Sequence, residues 1–437
     1  MAKLVSFEQV NPAAAAIDIG ASKVFVSTDG VNVKNYETFT ADYRALVRDL
    51  LDEKIERVCM EATGVYWIAL YEMLEAAKLD VCLVNPKEVK QVKGRKTDPK
   101  DCRWIQRVFS AGLVRQSYVP SGTLKELRMI VRERDDLIEM GSAYVNKMGK
   151  CLELMNIKLT TTISQIQGVS GLRMIEAIIK GERDPYKLLM LCDPSIIKSK
   201  KENVLKALEG NYNPSWIFLL EQNLHMWKLH EIQLETIDRK IEQLLDELAQ
   251  GKDEVPQVHL AKPIRHHRPK VKDLHQKLLN IFGVDCNTLS GVTDYTLLRL
   301  LGEIGTDMSR FPTAKHFVSY LQLTPSCNQS GKMKRRIRTK AGSKAGQIFR
   351  EIAHSLIRSN KIAIGAFMRK IRARKGPEIA VKAGARKLGV AFYNLLTKGA
   401  EYVEQGVQKY EKQVQAREEL FLIKLANKHK LVLVPQA

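Results

Sequence analysis

Two short apolar stretches, Ala13–Gly20 and Lys23–Asp29, flank a Gly20-Ala21-Ser22 turn, and a third segment, Val31–Glu37, follows directly on Asp29-Gly30. Extended segments joined by connections this short pair antiparallel with their neighbours, so they predict a three-strand meander. The pattern then changes period, predicting a helix over Tyr43–Leu51, a strand over Arg57–Ala62, a helix over Val65–Lys78, a strand over Val81–Val84 and a helix after Asp98. The order βββαβαβα demands a mixed sheet whose later strands run parallel and whose two faces are covered by helices.

That order is found in RNase H-like folds, where the first and fourth strands are neighbours. It gives meaning to two carboxylates. Asp18 interrupts the apolar run AAAAIDIG, and Glu61 ends the apolar strand RVCMEA; a charge in either place is costly unless it has a partner such as a cation. Asp98 and Asp101 stand at i and i+3, on one face of the following helix. Four carboxylates meeting at one sheet edge would form an oxygen-rich site for Mg²⁺, able to orient phosphodiester oxygens for in-line displacement. The residues also admit other roles. Asp98 before Pro99 is a good N-cap, and Asp101 at N3 would complete a variant capping box. IDIGASK also resembles the first phosphate loop of actin-like sugar kinases, although the second glycine-rich phosphate loop those folds need is missing from the sequence.

Charge narrows the class of partner. The chain of 437 residues carries a formal +21, and residues 331–398 hold 19 Lys and Arg against Glu351 and Glu378 alone, a local +17. Residues 13–80 hold 7 basic and 12 acidic residues, a local −5. A solvated surface mixes signs, whereas a block of nearly one sign points to a phosphate backbone. No apolar run approaches the ~18–20 residues that span a bilayer, and no cationic leader precedes Asp18, so a cytoplasmic protein without membrane attachment is expected. The seven cysteines are scattered with no C-x-x-C pair and read as buried thiols.

Leu124 to about Lys158 is helical in pattern, residues 165–212 suggest shorter helices broken at Gly168, Gly181 and Pro185, and Trp216–Leu248 repeats apolar residues at three–four spacing. These predict a coiled-coil-like hairpin whose seam is either internal or between subunits. Residues 251–277 hold three prolines and four of the nine histidines and read as a basic linker, with His266-His267 suited to a flexible polyanion contact rather than a metal. Leu278–Leu323 reads as short helices with Gly283, Gly291, Gly302 and Gly305 at their ends, a helix-hairpin-helix-like arrangement with an incomplete glycine pair at Gly291-Val292-Thr293. Then comes TPSCNQSG, in which Ser330 beside Gly331 opens a basic cluster of Lys332, Lys334, Arg335, Arg336, Arg338, Lys340 and Lys344. Ser330 could be a turn residue. It could equally be a nucleophile for phosphodiester exchange, its covalent phosphoserine conserving bond energy for religation.

The strings AIDIGASK, MEATGVYW and LVNPKEVKQVKGRKTDPKDCRWI, then GVSGLRMIEAIIKGERDP, LLRLLGEIGTDMSRFPTAKHF and LTPSCNQSGKMKRR, occur in that order across most of residues 13–360. Together they resemble the DEDD transposases of the IS-one-ten insertion sequences, with a RuvC-like N-terminal domain and a C-terminal transposase domain. By that resemblance Asp18, Glu61, Asp98 and Asp101 match the family's metal-binding carboxylates and Ser330 its nucleophilic serine; Ser326, after Pro325, matches less well. The resemblance further implies an RNA-guided recombinase, in which a structured noncoding bridge RNA pairs with donor and target DNA. It also implies a dimer or tetramer in which the carboxylates of one subunit work with the serine of another. Gly342-Ser343 stands where many relatives have Gly-Asn.

The expected fold class is thus α/β plus α: an RNase H-like domain (1–122), a helical coiled-coil region (123–250), a linker (251–277), a mostly helical C-terminal domain with the serine motif (278–400) and a helical tail (401–437). Two rival functions are a RuvC-like metal-dependent junction nuclease, in which Ser330 only contacts DNA, and a non-catalytic nucleic-acid-binding protein whose carboxylates are caps and core partners. The first predicts free ends and no covalent adduct. The second predicts salt-sensitive binding indifferent to Mg²⁺.

Overall fold

The first five strands, β1 (Ala14–Ile19), β2 (Lys23–Ser27), β3 (Lys34–Glu37), β4 (Arg57–Glu61) and β5 (Asp80–Val84), form one sheet in the order β3-β2-β1-β4-β5. In this computed structural model the described residues are 10–62, 64–84, 98–114, 116–257, 260–264, 266–324, 327–330, 333–336, 342–359 and 362–431. For 98–100, 327–330, 333–336, 363 and much of 402–418, the description is of backbone alone. The chain divides into two compact units, Met1–Val119 and Pro120–Ala437.

In the first unit the meander pairs antiparallel, β1 with β2 and β2 with β3, while β1–β4 and β4–β5 are parallel. The expected mixed sheet is therefore present, with the first and fourth strands adjacent. Alternation along β1 separates two cores, as a two-residue period requires. Ala15, Ile17 and Ile19 pack with Leu46 and Leu50 of α1 (Thr40–Asp52) and Leu70 and Leu74 of α2 (Trp67–Ala76). Ala14 and Ala16 pack with Cys59, Cys82, Val84 and, from α3 (Asp98–Ser110), Ile105 and Phe109. The run of alanines follows from this placement: small side chains let α3 lie close to the central strand.

The second unit is largely helical. Its longest elements, α4 (Gly122–Leu154) and α9 (Pro214–Ala249), pack antiparallel, with Lys240 paired to Glu126 at 2.8 Å, Arg134 to Asp238 at 2.6 Å and His230 against Leu137. The seam of the predicted hairpin thus lies within the chain. Within the apolar repeat of Trp216–Leu248, Leu219 is exposed, while its neighbour Leu220 is fully buried. Between the long helices lie α5 (Leu159–Thr162), α6 (Val169–Ile179), α7 (Pro185–Leu189) and α8 (Pro194–Ala207). Asp184, Asp193 and Asn213 each cap a helix whose first residue is proline, accepting a backbone N–H from Tyr186, Ser195 and Ser215.

The C-terminal core gathers α10 (Leu274–Phe282), α11 (Asp294–Ile304), α12 (Ala314–Tyr320), α13 (Lys344–Leu356), α14 (Ala363–Lys375) and α15 (Pro377–Lys398) around Phe317, Phe349 and Phe392. A final helix, α16, spans Ala400–His429.

Several expectations change here. Gly302 sits inside α11 rather than at its end; a β-carbon there would lie 3.2 Å from the Arg128 Cα, so the glycine permits close helix approach. Residues 327–330 and 333–336 form a two-stranded hairpin, β6–β7, in a region expected to be helical or irregular. The strings CNQS and MKRR lack the apolar alternation that would have announced strands. The C-terminal part of the linker is tied to the long helices: the His267 carbonyl accepts from Arg134 at 3.1 Å and the Lys270 N–H donates to Asp238 at 2.8 Å. Among the described residues no helix is long and apolar enough to cross a membrane.

Candidate catalytic carboxylates and the serine hairpin

Register brings Asp18 and Glu61 together. The parallel pairing of β1 with β4 runs Ala14↔Arg57, Ala15↔Val58, Ala16↔Cys59 and Ile17↔Met60, and one further step sets Asp18 beside Glu61, on strands about 4.8 Å apart. Asp18 lies two residues beyond Ala16 and Glu61 two beyond Cys59, so both continue the sheet face that carries α3. Glu61 is only 8% exposed and Asp18 is half-buried.

Helix α3 runs antiparallel to β1, fixed by side-chain hydrogen bonds to backbone carbonyls of β1, β2 and the helix itself. Asn11 Nδ2 donates to the Phe109 carbonyl at 2.8 Å, Gln106 Nε2 to Ala14 at 3.2 Å, and Cys102 Sγ to Ala16 at 3.4 Å and Phe25 at 3.2 Å. Each step towards the N-terminus of α3 is thus a step towards the C-terminal end of β1. Asp101, partly exposed, precedes Cys102 by one residue, and Asp98, the first residue of the helix, precedes it by one turn. The Asp98 side chain lies outside the described residues. Burial, and next the charge of Asp18, push the Cys102 thiol up to about 12.

Among the described residues no three His, Cys, Asp or Glu side chains form a group that could hold a metal ion. The donor set itself is all carboxylate oxygen, which suits a hard divalent cation and not a soft one. The six described cysteines are free and buried, and the hydrogen bond with the Cys82 thiol, followed by burial, raises the pKa of Cys59. These thiols are packing groups.

Ser330 is the last residue of β6 and pairs with Met333 of β7. Lys334, Arg335 and Arg336 follow on β7 and Lys344 is exposed at the start of α13, whereas Lys332, Arg338, Lys340 and Ser326 lie outside the described residues, as do the Ser330, Lys334, Arg335 and Arg336 side chains. Ser343 explains the departure at Gly342-Ser343. Its Oγ accepts from the Gly346 N–H at 2.9 Å and donates to the Leu321 carbonyl at 3.0 Å, capping α13 as asparagine also can. At Gly342 a β-carbon would lie 2.6 Å from the Arg350 guanidinium, so the glycine leaves room for that side chain.

The suspected phosphate-binding hairpin at Gly291 leads into a capping box. The Thr293 N–H donates to Thr296 Oγ1 at 2.8 Å and the Thr296 N–H to Thr293 Oγ1, a reciprocal capping box at the start of α11. Gly291, at φ +77°, is backed by Ile352 and Leu356 of α13, each 3.0 Å from where a β-carbon would stand. It serves packing. Cys102 pins α3 without having stood out as a site residue; its signal is its place in the Cys102, Ile105, Phe109 stripe of a helix that begins Asp-Pro-Lys-Asp.

No curated protein matches the chain. Residues 15–157 match the family model for DEDD transposases of the IS110 group, and residues 286–368 match that of the transposase IS116/IS110/IS902 family. The two segments together cover just over half of the sequence, and they contain all four carboxylates and the β6–β7 hairpin. The chain therefore belongs to the IS110 family of insertion-sequence transposases.

Proposed function

We propose that this transposase cuts and rejoins DNA at composite sites in which Asp18, Glu61, Asp98 and Asp101 of one subunit work with Ser330 of another. The observation that carries the reading is the convergence of Asp18 and Glu61 on the α3 face of an RNase H-like strand order. Two carboxylates placed side by side repel one another, and a cation relieves that repulsion. The four acidic residues would hold a divalent cation such as Mg²⁺, which when bound supplies charge neutralisation and orients phosphodiester oxygens. Ser330 Oγ attacks the scissile phosphorus, forming one P–O bond as the bond to the leaving strand breaks and that strand's hydroxyl takes a proton. A second strand's hydroxyl then displaces the serine and restores the phosphodiester, so bond number is conserved at each step. Lys332, Lys334, Arg335, Arg336, Arg338, Lys340 and Lys344 hold nucleic acid around the hairpin.

In the same reading a structured noncoding RNA selects donor and target DNA, and the protein reads backbone shape and charge rather than sequence. Carboxylates and serine come from different subunits of a dimer or tetramer. We take 1–122 as the RuvC-like domain, 123–250 as the coiled-coil region, 251–277 as the linker, 278–400 as the transposase domain and 401–437 as its tail. Asp98 has a rival role that one observation favours: Asp184-Pro185, Asp193-Pro194 and Asn213-Pro214 all open helices as caps.

Purified protein with Mg²⁺, its element's noncoding RNA and DNA carrying the element's ends tests the assignment. Asp18→Asn and Glu61→Gln should abolish recombination while thermal melting stays near that of the parent. Retained recombination in either variant would defeat the carboxylate assignment, and loss confined to unfolded variants would assign these residues to the fold. Asp98→Asn keeps the cap and removes the charge, so full activity in that variant would make Asp98 a cap.

A further inference from the structure

A cleft of about 450 Å³ opens between the α5 turn and helix α8, lined by Lys158, Thr161, Thr162, Lys200, Asn203 and Lys206. It lies between the two segments that match transposase models. We propose that this cleft binds the phosphates of a nucleic-acid backbone, as a contact separate from the catalytic site.

The cleft is held by its own framework. Lys200, Asn203 and Lys206 recur at three-residue spacing on one face of α8. The Lys158 N–H donates to the Ala207 carbonyl at 2.8 Å, and Lys200 Nζ donates to the Thr162 carbonyl at 2.8 Å. Beneath it Leu159, Ile163, Val204 and Leu208 belong to a hydrophobic core formed by residues 148–224. The two walls are therefore tied to each other and to a common base.

The chemistry of the lining selects the ligand. Three lysines and no carboxylate line the cleft. Glu153, just outside, pairs with Lys158 at 2.5 Å, while Lys206 makes no ion pair among the described residues. The Thr161 and Thr162 hydroxyls donate to the Lys158 carbonyl at 3.0 and 2.8 Å, so their hydrogens are committed. The donors left for a ligand are ammonium N–H groups and the Asn203 amide, which suits an anionic ligand that only accepts, as a phosphate does. No aromatic ring lines the cleft to stack a base, so recognition there is of backbone and independent of sequence. Exposed Lys198 and Lys201 extend the positive field along α8.

Fluorescence anisotropy of the full chain with short labelled single-stranded RNA, single-stranded DNA and duplex DNA tests this. The double variant Lys158→Ala/Lys206→Ala spares Lys200, which also supports the fold. Removing two phosphate contacts should reduce the slope of log affinity against log salt by about 1.4 for a single strand or about 1.8 for a duplex. Lys198→Ala/Lys201→Ala removes the same charge outside the cleft and should change the slope less, and melting curves verify folding of both variants. Loss restricted to RNA or to duplex DNA would identify which strand the cleft takes. Unchanged slopes on all three probes, or equal loss in the control pair, would overturn the proposal. So would inorganic phosphate competing beyond its ionic strength in the parent while the double variant binds every probe normally, since the ligand would then be free phosphate. The outcome does not depend on recombination activity, so it stands or falls apart from the catalytic assignment.

Discussion

Replacing Asp238 with alanine should be among the most destabilising single changes in the second unit. Asp238 and Arg134 are each 2% exposed; Asp238 Oδ1 accepts from Arg134 Nε at 2.6 Å and Oδ2 from the Lys270 N–H at 2.8 Å. The guanidinium also donates to the His267 carbonyl at 3.1 Å and lies 4.9 Å from the Tyr295 ring centroid, and its Nη1 is already buried without a partner. The alanine variant leaves a buried cation uncompensated, a loss of about 3–5 kcal/mol. A volume-matched pair, Arg134→Met/Asp238→Leu, removes both charges and leaves only the His267 carbonyl and Lys270 N–H to be re-satisfied, at about 1–3 kcal/mol each if they are not. Urea unfolding followed by far-UV circular dichroism on the parent, both singles and the double gives the coupling. The double variant should be more stable than Asp238→Ala. A loss below about 1 kcal/mol in Asp238→Ala, or a double variant no better than that single, would refute the idea that this pair fastens the linker to the helical hairpin.

Two further outcomes follow from the same packing arguments. Ser343→Ala should lose about 1 kcal/mol by uncapping α13, while Ser343→Asn should retain most of the stability; equal losses in urea titrations would show that the donation to Leu321, not the cap, matters. A thiol reagent applied to native protein at neutral pH should modify at most one cysteine rapidly, because six of seven are buried and the Cys102 thiol is pushed up to about 12. Rapid modification of two or more would contradict the described cores.

Much of the first unit was legible because its signals are local. Short turns after Ile19 and Ser27 enforce a meander, and the switch from two-residue to helical period marks each crossover. The neighbouring placement of Asp18 and Glu61 follows from strand order, but their common face depends on a one-residue register that only the pairing of β1 with β4 settles. Where polar strings fold against the chain, the sequence is silent. The β6–β7 hairpin lacks alternation, and Gly302 and Gly291 serve close packing against Arg128 and α13, contacts distant in sequence. The Lys158–Lys206 cleft is likewise built from residues scattered over about four dozen positions.

The most direct test of the account is the chemistry of the covalent link. Protein, noncoding RNA, Mg²⁺ and DNA bearing the element's ends and insertion site are combined, quenched under denaturing conditions and digested, and the DNA-linked peptide is identified by mass spectrometry. The account predicts a phosphodiester-linked adduct on Ser330, absent in Ser330→Ala and in Glu61→Gln. Cleaved DNA with free ends and no adduct, or an adduct on Ser326 or another residue, would contradict it.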